Sequence, residues 1–362
     1  MADMVKLGLL HSRYYHIRSF LRGSRRKRLL ILMYHDLRSD STASADSVAD
    51  DRPNGLAFDC QIRAILRDFR AVTVEEAIRE IDEHGDLLED SVAITFDDGY
   101  QSVYEVAWPI MRKYGVLATV YLATDWIDGK AGLWWNDLEE LIKIGDLSKL
   151  DTEEFCREFQ INPAVFGRTP PNEPHRKSLL NRLSFDLMKK PTAIQKGAVE
   201  YLRRSVLVDP ATKLAVPEPL DWDQIRLLAA QGIEFGAHTR SHPNLSYVET
   251  EDAYAEIAGS KAVIESQIQK KITGFAYPYG YDVAGYSRFQ PMLKEIGFTY
   301  ACLSWWGCNT ARTNRYLLFR NLLPPLNSIG LLRREILLNF NQKSGPSAKI
   351  ADLSKEQSGY RP

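Results

Sequence analysis

Two short polar clusters in this chain combine residue types that bind metal ions and move protons. They are TFDDG (95–99) and HTRSHP (238–243), and each follows an apolar stretch. Adjacent carboxylates repel each other unless a cation or a proton lies between them. Two histidines four residues apart lie on one face of a helical turn and can share one metal ion. One carboxylate with two imidazoles makes a three-ligand set with open positions, and the second carboxylate can then act as a base, which is an arrangement typical of hydrolases.

Each cluster taken alone also permits a purely structural interpretation. Asp97 and Asp98 could both cap the helix that follows, and the chain has seven histidines, so the spacing of two of them can arise by chance. Side chains alternate along a strand, so the two carboxylates converge only if the backbone turns, which Gly99 permits. Because both clusters follow predicted strands, and because α/β barrels assemble their active sites at the carboxyl ends of strands, we expect the clusters to meet.

Alternating strands and helices must position these clusters. Apolar runs predict strands at 29–34, 92–96, 117–122, 233–237, 274–277 and 300–303. Amphipathic patterns predict helices at 58–69, 74–84, 221–231, 251–270 and 288–296, and a further helix that ends at Gly115. This alternation indicates an α/β domain with a mostly parallel sheet or barrel.

The alternation is interrupted between residues 126 and 219, a charged, proline-containing stretch with helical patterns and no clear strand. We interpret it as a helical insertion in a catalytic domain that spans residues 29–340. Residues 38–55 are small and polar, which predicts a loop or a disordered segment, and residues 341–362 are predicted to be a disordered tail.

The composition excludes several classes of protein. The 362 residues are 44% hydrophobic and 26% charged, which are ordinary globular values and exclude a disordered, collagenous or coiled-coil chain. Four cysteines without CxxC spacing are too few for a disulfide framework. We expect reduced thiols, with a Cys302–Cys308 bridge as the alternative.

The formal net charge of −1 hides a basic N-terminal stretch. Residues 1–28 carry eight basic side chains and one acidic one, with apolar residues at helical spacing. They predict a basic helix that either makes peripheral contact with anionic lipid headgroups or has a solvated basic face. A nucleic-acid-binding role would rest on this stretch alone, and we expect none. No apolar run reaches the length of a signal sequence or a membrane span, so we expect a cytoplasmic protein, with any membrane contact at the inner face.

Three motifs in order, ITFDDGY (94–100), HTRSHP (238–243) and FAYPYG (275–280), resemble those of the polysaccharide deacetylases of carbohydrate esterase family 4. LMYHDL (32–37) resembles the opening segment of the sub-group that contains exopolysaccharide and poly-N-acetylglucosamine deacetylases. The resemblance covers roughly residues 29–330, apart from much of the insertion.

The resemblance implies a distorted (β/α) barrel of about seven parallel strands. It also implies a divalent metal, zinc in most members, held by Asp98, His238 and His242, with Asp97 as the general base. The metal would lower the pKa of its water and polarise the acetamide carbonyl, and a backbone N–H near Tyr279 would help to bind the oxyanion.

Two positions depart from the commoner family pattern. No histidine follows His242, and the sub-group implies that His35 is the catalytic acid instead; a buried structural histidine is the alternative. Ala276 stands where most members have an arginine that orients the base. Arg320 could replace that arginine, or it could form a surface salt bridge.

Aromatic residues near the motifs could stack on sugar rings. We take Tyr279 and Trp305, together with Arg320, as substrate-binding candidates, and the pairs Trp134-Trp135 and Trp305-Trp306 as candidate sugar platforms, whereas Trp222 is expected to pack.

The predicted function is a metal-dependent deacetylase that hydrolyses N-acetyl groups of hexosamine units in a polysaccharide or a lipid-linked glycan. Two alternatives remain open. One is another carbon–nitrogen amidase of the same superfamily. The other is a catalytically impaired glycan-binding protein of exopolysaccharide assembly, which the missing arginine and the missing late histidine would explain.

Overall fold

A computed structural model describes residues 27–39, 52–167, 173–207, 209 and 211–341. The predicted N-terminal helix therefore lies outside the described residues, apart from its last two positions. Most of the predicted loop at 38–55 and all of the tail after Asn341 also lie outside them.

Parallel strands form a single eight-stranded sheet that curves into a nearly closed barrel. The strands are β1 (Leu29–Tyr34), β2 (Arg70–Val72), β3 (Ser91–Phe96), β4 (Thr119–Leu122), β5 (Glu234–Ala237), β6 (Gly274–Ala276), β7 (Tyr300–Cys302) and β8 (Arg320–Asn321). Their order around the barrel is β7-β6-β5-β4-β3-β1-β8, and β2 pairs with the first half of β3.

The segment before β8 closes the ring against β7. The N–H of Leu303 donates to the carbonyl of Leu318 at 2.8 Å, and the N–H of Leu318 donates to the carbonyl of Ala301 at 2.9 Å. Seven strands thus surround the barrel core, which confirms the predicted distorted (β/α) barrel.

Strands β1 and β3 each have six buried residues, all apolar in β1 and all apolar but Ser91 and Thr95 in β3. Near-continuous apolar sequence is expected of parallel strands that helices cover on the outside. The two strands pair in register from Leu29↔Ser91 to Tyr34↔Phe96. The residues that follow these strands, His35 and Asp97, therefore emerge side by side at the carboxyl edge of the barrel.

Helices connect the strands and cover the barrel. They are α1 (Gly55–Asp68), α2 (Val74–His84), α3 (Trp108–Tyr114), α4 (Thr124–Ile127), α5 (Trp134–Ile144), α6 (Thr152–Glu158), α7 (Glu173–Leu187), α8 (Thr192–Val206), α9 (Trp222–Ala230), α10 (Thr250–Ile268), α11 (Val283–Tyr286), α12 (Gln290–Ile296) and α13 (Ile329–Asn341). A π-helical turn, Val103–Ala107, precedes α3. Gly115 ends α3 in the left-handed region with φ 65°, as predicted.

Helices α4 to α8 lie between β4 and β5, and the described residues of 126–219 contain no strand. These helices enclose a second apolar core that is distinct from the barrel core. Three residues of the barrel and its loops, Tyr100, Ala123 and Tyr279, belong to this second core. The helical stretch therefore packs directly on the carboxyl edge of the barrel.

The short strand β2 and the helix α13 were not predicted from the sequence. The four cysteines are free thiols, so the alternative Cys302–Cys308 bridge is not formed. Trp222 is half-buried against the barrel core, as expected of a packing residue. Within the described residues, no helix combines the length and the apolar composition that crossing a bilayer requires.

Candidate active site

The carboxyl edge of the barrel collects the chemically active side chains from separate strands. Asp97 and Asp98 follow β3, and His238 follows β5. His35 follows β1, and Arg320 is the first residue of β8. The predicted meeting of the aspartate and histidine clusters at this edge is confirmed.

A tight turn after β3 separates the two carboxylates. Asp98 and Gly99 both have left-handed backbone, with φ 69° and 94°. A Cβ at position 99 would lie 2.7 Å from Leu122 Cδ2 and 3.0 Å from Ile127 Cδ1, so a larger residue would displace these side chains as well as strain the backbone. The turn sends Asp97 and Asp98 to different partners, and neither forms an N-cap.

Asp97 is buried and forms a two-pronged ion pair with Arg320. Arg320 Nη1 donates to Oδ1 at 2.6 Å and Nη2 donates to Oδ2 at 2.7 Å. The guanidinium is itself buried, and its Nε donates to the carbonyl of Leu303 at 2.8 Å. Burial alone would raise the pKa of Asp97, but the charges of Arg320 and His238 and the hydrogen bonds from Arg320 lower it to about 2. Asp97 is therefore ionised at neutral pH.

Asp98, His238 and His242 form a buried cluster whose ligand atoms lie within 4.8 Å of one another. Asp98 Oδ1 is 3.6 Å from His238 Nε2 and 3.4 Å from His242 Nε2. His238 Nδ1 lies 2.8 Å from the carbonyl of Ala276. A proton on Nδ1 would donate to that carbonyl, and the lone pair of Nε2 would then face Asp98.

This cluster fits a divalent cation. Both carboxylate oxygens of Asp98 are buried and have no hydrogen-bond partner among the described residues. Burial, with the charge of Asp97, raises the pKa of Asp98 well above its usual value, and burial lowers the pKa of both histidines. An unpaired buried carboxylate is costly, and a cation between it and two neutral imidazoles removes that cost.

The loop between the two histidines is not helical, so the predicted helical turn is wrong. Thr239 and His242 adopt left-handed backbone with φ 64° and 55°. The N–H of His242 donates to Thr239 Oγ1 at 3.1 Å. The two imidazoles converge because these two residues reverse the chain, rather than because they share a helix face.

His35 stands across Asp97 from the metal cluster. Its Nε2 is 4.0 Å from Asp97 Oδ2, and His238 Nε2 is 3.9 Å from the same oxygen. The side chain of His35 is 18% exposed, whereas that of Asp97 is 1% exposed. Burial lowers the pKa of His35 to about 4, although the charge of Asp97 acts in the opposite direction.

Aromatic rings of the insertion and of the third motif surround His242. The ring centroid of Trp135 is 4.6 Å from that of His242, and the ring of Tyr279 is 5.0 Å away on another side. Trp134 Nε1 donates to the Tyr279 hydroxyl at 2.9 Å. Trp134 and Trp135 expose only 5% and 6% of their surface, so the predicted sugar platform at this pair is wrong.

Half of the chain matches the model of a known family. Residues 84–150 and 188–301 match the family model for polysaccharide deacetylase. The chain belongs to the polysaccharide deacetylase family. Membership places it among the hydrolases that act on carbon–nitrogen bonds other than peptide bonds, and it confirms the resemblance inferred from the motifs.

Individual proteins that resemble this chain are distant from it in sequence. YxkH of Bacillus subtilis (strain 168), named as a polysaccharide deacetylase, is 27% identical over 128 residues, which are 35% of this chain and 43% of that protein. The Streptococcus pyogenes deacetylase PplD, solved in complex with acetate, has a similar fold with a TM-score of 0.54 at 19% identity, over 85% of this chain and 98% of PplD. A de-N-acetylase from Aggregatibacter actinomycetemcomitans gives 0.50 at 16% identity, over 83% and 96%.

The three substrate-binding candidates, Tyr279, Trp305 and Arg320, differ in their burial and in their contacts. Tyr279 is buried with left-handed backbone at φ 62°, and its N–H has no acceptor among the described residues. Trp305 is half-buried against the barrel core, and Trp306 beside it is 51% exposed. Arg320 is buried and pairs with the Asp97 carboxylate, so the alternative of a surface salt bridge is wrong, and its contact with substrate stays a prediction.

Sequence reasoning missed one contributor to this site and expected a second one in a different role. Glu256 of α10 accepts hydrogen bonds from the loop between His238 and His242. Trp135 packs on His242 instead of facing solvent. The sequence indicates only that Glu256 lies beside the apolar stripe of a predicted helix. Its contact with residues 240 and 241 joins separate segments of the chain, and local sequence patterns do not reveal such contacts.

Proposed function

We propose that this protein is a metal-dependent deacetylase that hydrolyses N-acetyl groups of hexosamine units in a polysaccharide or a lipid-linked glycan. The observation that carries the proposal is the Asp98, His238 and His242 cluster, with its unsatisfied carboxylate, beside an ion-paired Asp97. A divalent cation in that cluster, for which we propose zinc, supplies a Lewis acid for the acetamide carbonyl and for the attacking water.

Asp97 is the proposed general base. Its carboxylate is held ionised by Arg320, and its Oδ2 lies on the side that faces His238. A base held in one orientation takes the proton of the attacking water without first reorganising. The proton then leaves Asp97 as the amide bond breaks.

His35 is the proposed general acid for the departing amine. Its Nε2 lies 4.0 Å from the same Asp97 oxygen, which is longer than a hydrogen bond, so we propose that a closer approach or one bridging water carries the proton from Asp97 to His35, which then gives it to the amine nitrogen. The unpaired N–H of Tyr279, next to the ring of His242, is the proposed donor to the carbonyl oxygen as negative charge develops there.

Two departures from the family pattern suggested a catalytically impaired protein, and the proposed mechanism accounts for both of them. The arginine that is missing at Ala276 is replaced by Arg320, which reaches the carboxylate from β8. The late histidine that is missing has a counterpart in His35. A protein that only bound glycans would gain nothing from an unsatisfied Asp98 facing two imidazoles.

Acetate release tests the proposed function. Zinc-loaded protein is incubated separately with N-acetylglucosamine oligomers, lipid-linked N-acetylhexosamines, nucleotide sugars and small N-acetylated amides that contain no sugar, and acetate is measured. We expect release from an oligomer or from a lipid-linked sugar. Release only from small non-sugar amides would favour the amidase alternative.

The control for this assay is Asp97→Asn. This variant removes the base but none of the proposed metal ligands, so we expect it to bind zinc and to lose about 10²–10⁴-fold in kcat. Full activity in the variant would show that Asp97 is not the base.

A further inference from the structure

Helix α10 accepts hydrogen bonds from the loop that carries His238 and His242, the two histidines of the proposed metal site. The Glu256 carboxylate accepts two backbone hydrogen bonds at Oε2, from Arg240 N at 2.8 Å and from Ser241 N at 2.9 Å. Its Oε1 accepts a third hydrogen bond from Ser241 Oγ at 2.7 Å. One side chain thus satisfies two consecutive N–H groups midway between His238 and His242.

The loop needs an external support because its backbone is unfavourable. Thr239 and His242 lie in the left-handed region that side chains other than glycine rarely adopt. Such conformations persist only where surrounding contacts fix them. Glu256 supplies such contacts at residues 240 and 241, between the two left-handed positions.

A glycine of α10 also contributes to the packing of the same loop. Gly259 lies almost one turn after Glu256, and a Cβ there would come within 2.7 Å of Arg240 Cδ. The Arg240 side chain passes over this glycine, and its Nη2 reaches Asp125 Oδ1 at 3.4 Å. The helix therefore holds the backbone of residue 240 with a carboxylate and leaves space for its side chain.

We propose that Glu256 is a positioning residue that preorganises His238 and His242 for the cation, an inference that rests on the metal site proposed above. It acts on the two ligands through the backbone of residues 240 and 241 and touches neither the substrate nor the cation. Partners beyond the ligands typically change metal affinity by about 10–100-fold when they are removed.

Metal affinity measured on the full chain tests this role. The zinc dissociation constant is determined by competition with a chromophoric chelator for wild type, Glu256→Gln, Glu256→Ala and the control Glu251→Gln, an exposed acid on the same helix. The absorption spectrum of bound Co²⁺ and the melting temperature of the metal-free protein are recorded in parallel.

We expect affinity to fall about 10–100-fold in Glu256→Ala and less in Glu256→Gln, which keeps one acceptor oxygen, with Glu251→Gln unchanged. The Co²⁺ spectrum should change in the same order. Unchanged affinity and spectrum in both Glu256 variants, with only a lower melting temperature, would overturn the positioning role and leave Glu256 a structural residue.

If Glu256→Ala does not fold, Glu256→Gln alone decides, by the same criteria of affinity and spectrum. Failure of wild type to bind zinc or Co²⁺ would instead overturn the proposed metal site, and this inference with it. The two failures are distinguishable because only the second affects wild type.

Discussion

The role of a side chain in an active site depends on where its functional group lies, and not on which strand supplies the residue. Most of the family, as the motif comparison implies, orients the catalytic carboxylate with an arginine at the position of Ala276. Here Arg320 brings an equivalent group from β8, pairing with Asp97 through both guanidinium nitrogens. The resemblance thus implies that an arginine still pairs with the carboxylate, although it comes from a different position in the sequence.

Replacing Arg320 tests this arrangement. In Arg320→Met the buried Asp97 carboxylate loses its partner, and we expect about 3–5 kcal/mol of destabilisation at pH 7. The pKa of Asp97 should rise from about 2, because the charge and the hydrogen bonds that lower it are gone. The acidic limb of the kcat/KM profile should therefore move to higher pH.

Arg320→Lys is the matched control for that variant. It keeps the charge without the two-pronged geometry, so it should lose less stability and show a smaller shift of the acidic limb. The pair stabilises the wild type above the ordinary carboxyl pKa of 3.8, and that stabilisation is lost as pH falls towards about 2. A methionine variant with wild-type stability and pH profile would contradict this role.

His35→Gln separates the acid role from a structural one. We expect kcat to fall about 10²–10⁴-fold, with KM and zinc affinity close to wild type, because His35 belongs neither to the ligand set nor to its supports. The burial of neutral His35 stabilises the fold fully above pH 6.5, and this contribution is lost as pH falls towards about 4. Denaturation curves of the variant should therefore show less acid destabilisation over that range. A variant with unchanged kcat would assign the acid to another group.

At the scale of the element, backbone shape decides where side chains point. The turn at Asp98 and Gly99 sends two adjacent carboxylates in different directions, one to Arg320 and one to the histidines. A strand that continued through these residues would place them on opposite faces of the sheet. The turn is therefore as necessary to the site as the carboxylates themselves.

Gly99→Ala should damage the metal site without removing a ligand. Alanine is strained at φ 94°, and its Cβ would contact Leu122 and Ile127 at 2.7 and 3.0 Å. We expect a loss of at least about 1 kcal/mol in the free energy of unfolding, and weaker zinc binding because Asp98 shifts. Chemical denaturation and chelator competition measure the two effects. Gly115→Ala, which has a similar positive φ but open space, should lose stability and keep zinc affinity.

Elements with strong local patterns could be predicted from the sequence, and those that depend on distant contacts could not. The strand at 29–34 and the helix at 74–84 have the predicted bounds, because continuous apolar sequence and capping residues mark them locally. Strand β2, Arg70–Val72, comes directly after the end of α1, so its two apolar residues are not separated in the sequence from the helical pattern before them. The left-handed backbone of the histidine loop is set by tertiary contacts, which explains why a helical turn was predicted there.

At the scale of the whole molecule, the proposed metal site lies where two apolar cores meet. The barrel supplies the proposed ligands, and the helical insertion supplies the aromatic residues that pack on them. Trp135 contacts the ring of His242, while Trp134 donates to Tyr279 of the third motif. The insertion is thus part of the wall of the site, and its folding should be coupled to metal binding.

Hydrogen exchange measured by mass spectrometry tests this coupling. A ligand that binds only the folded state stabilises it by about 2.7 kcal/mol at a concentration 100 times its dissociation constant. If the insertion and the barrel open together, zinc should slow exchange in α5 and α8 as much as in β3 and β5. The variant Asp98→Asn, which lacks one proposed ligand, should show little or no slowing in either region. Slowing confined to the barrel strands of the wild type would mean that the insertion unfolds independently, and that its contact with His242 contributes nothing to the stability of the metal site.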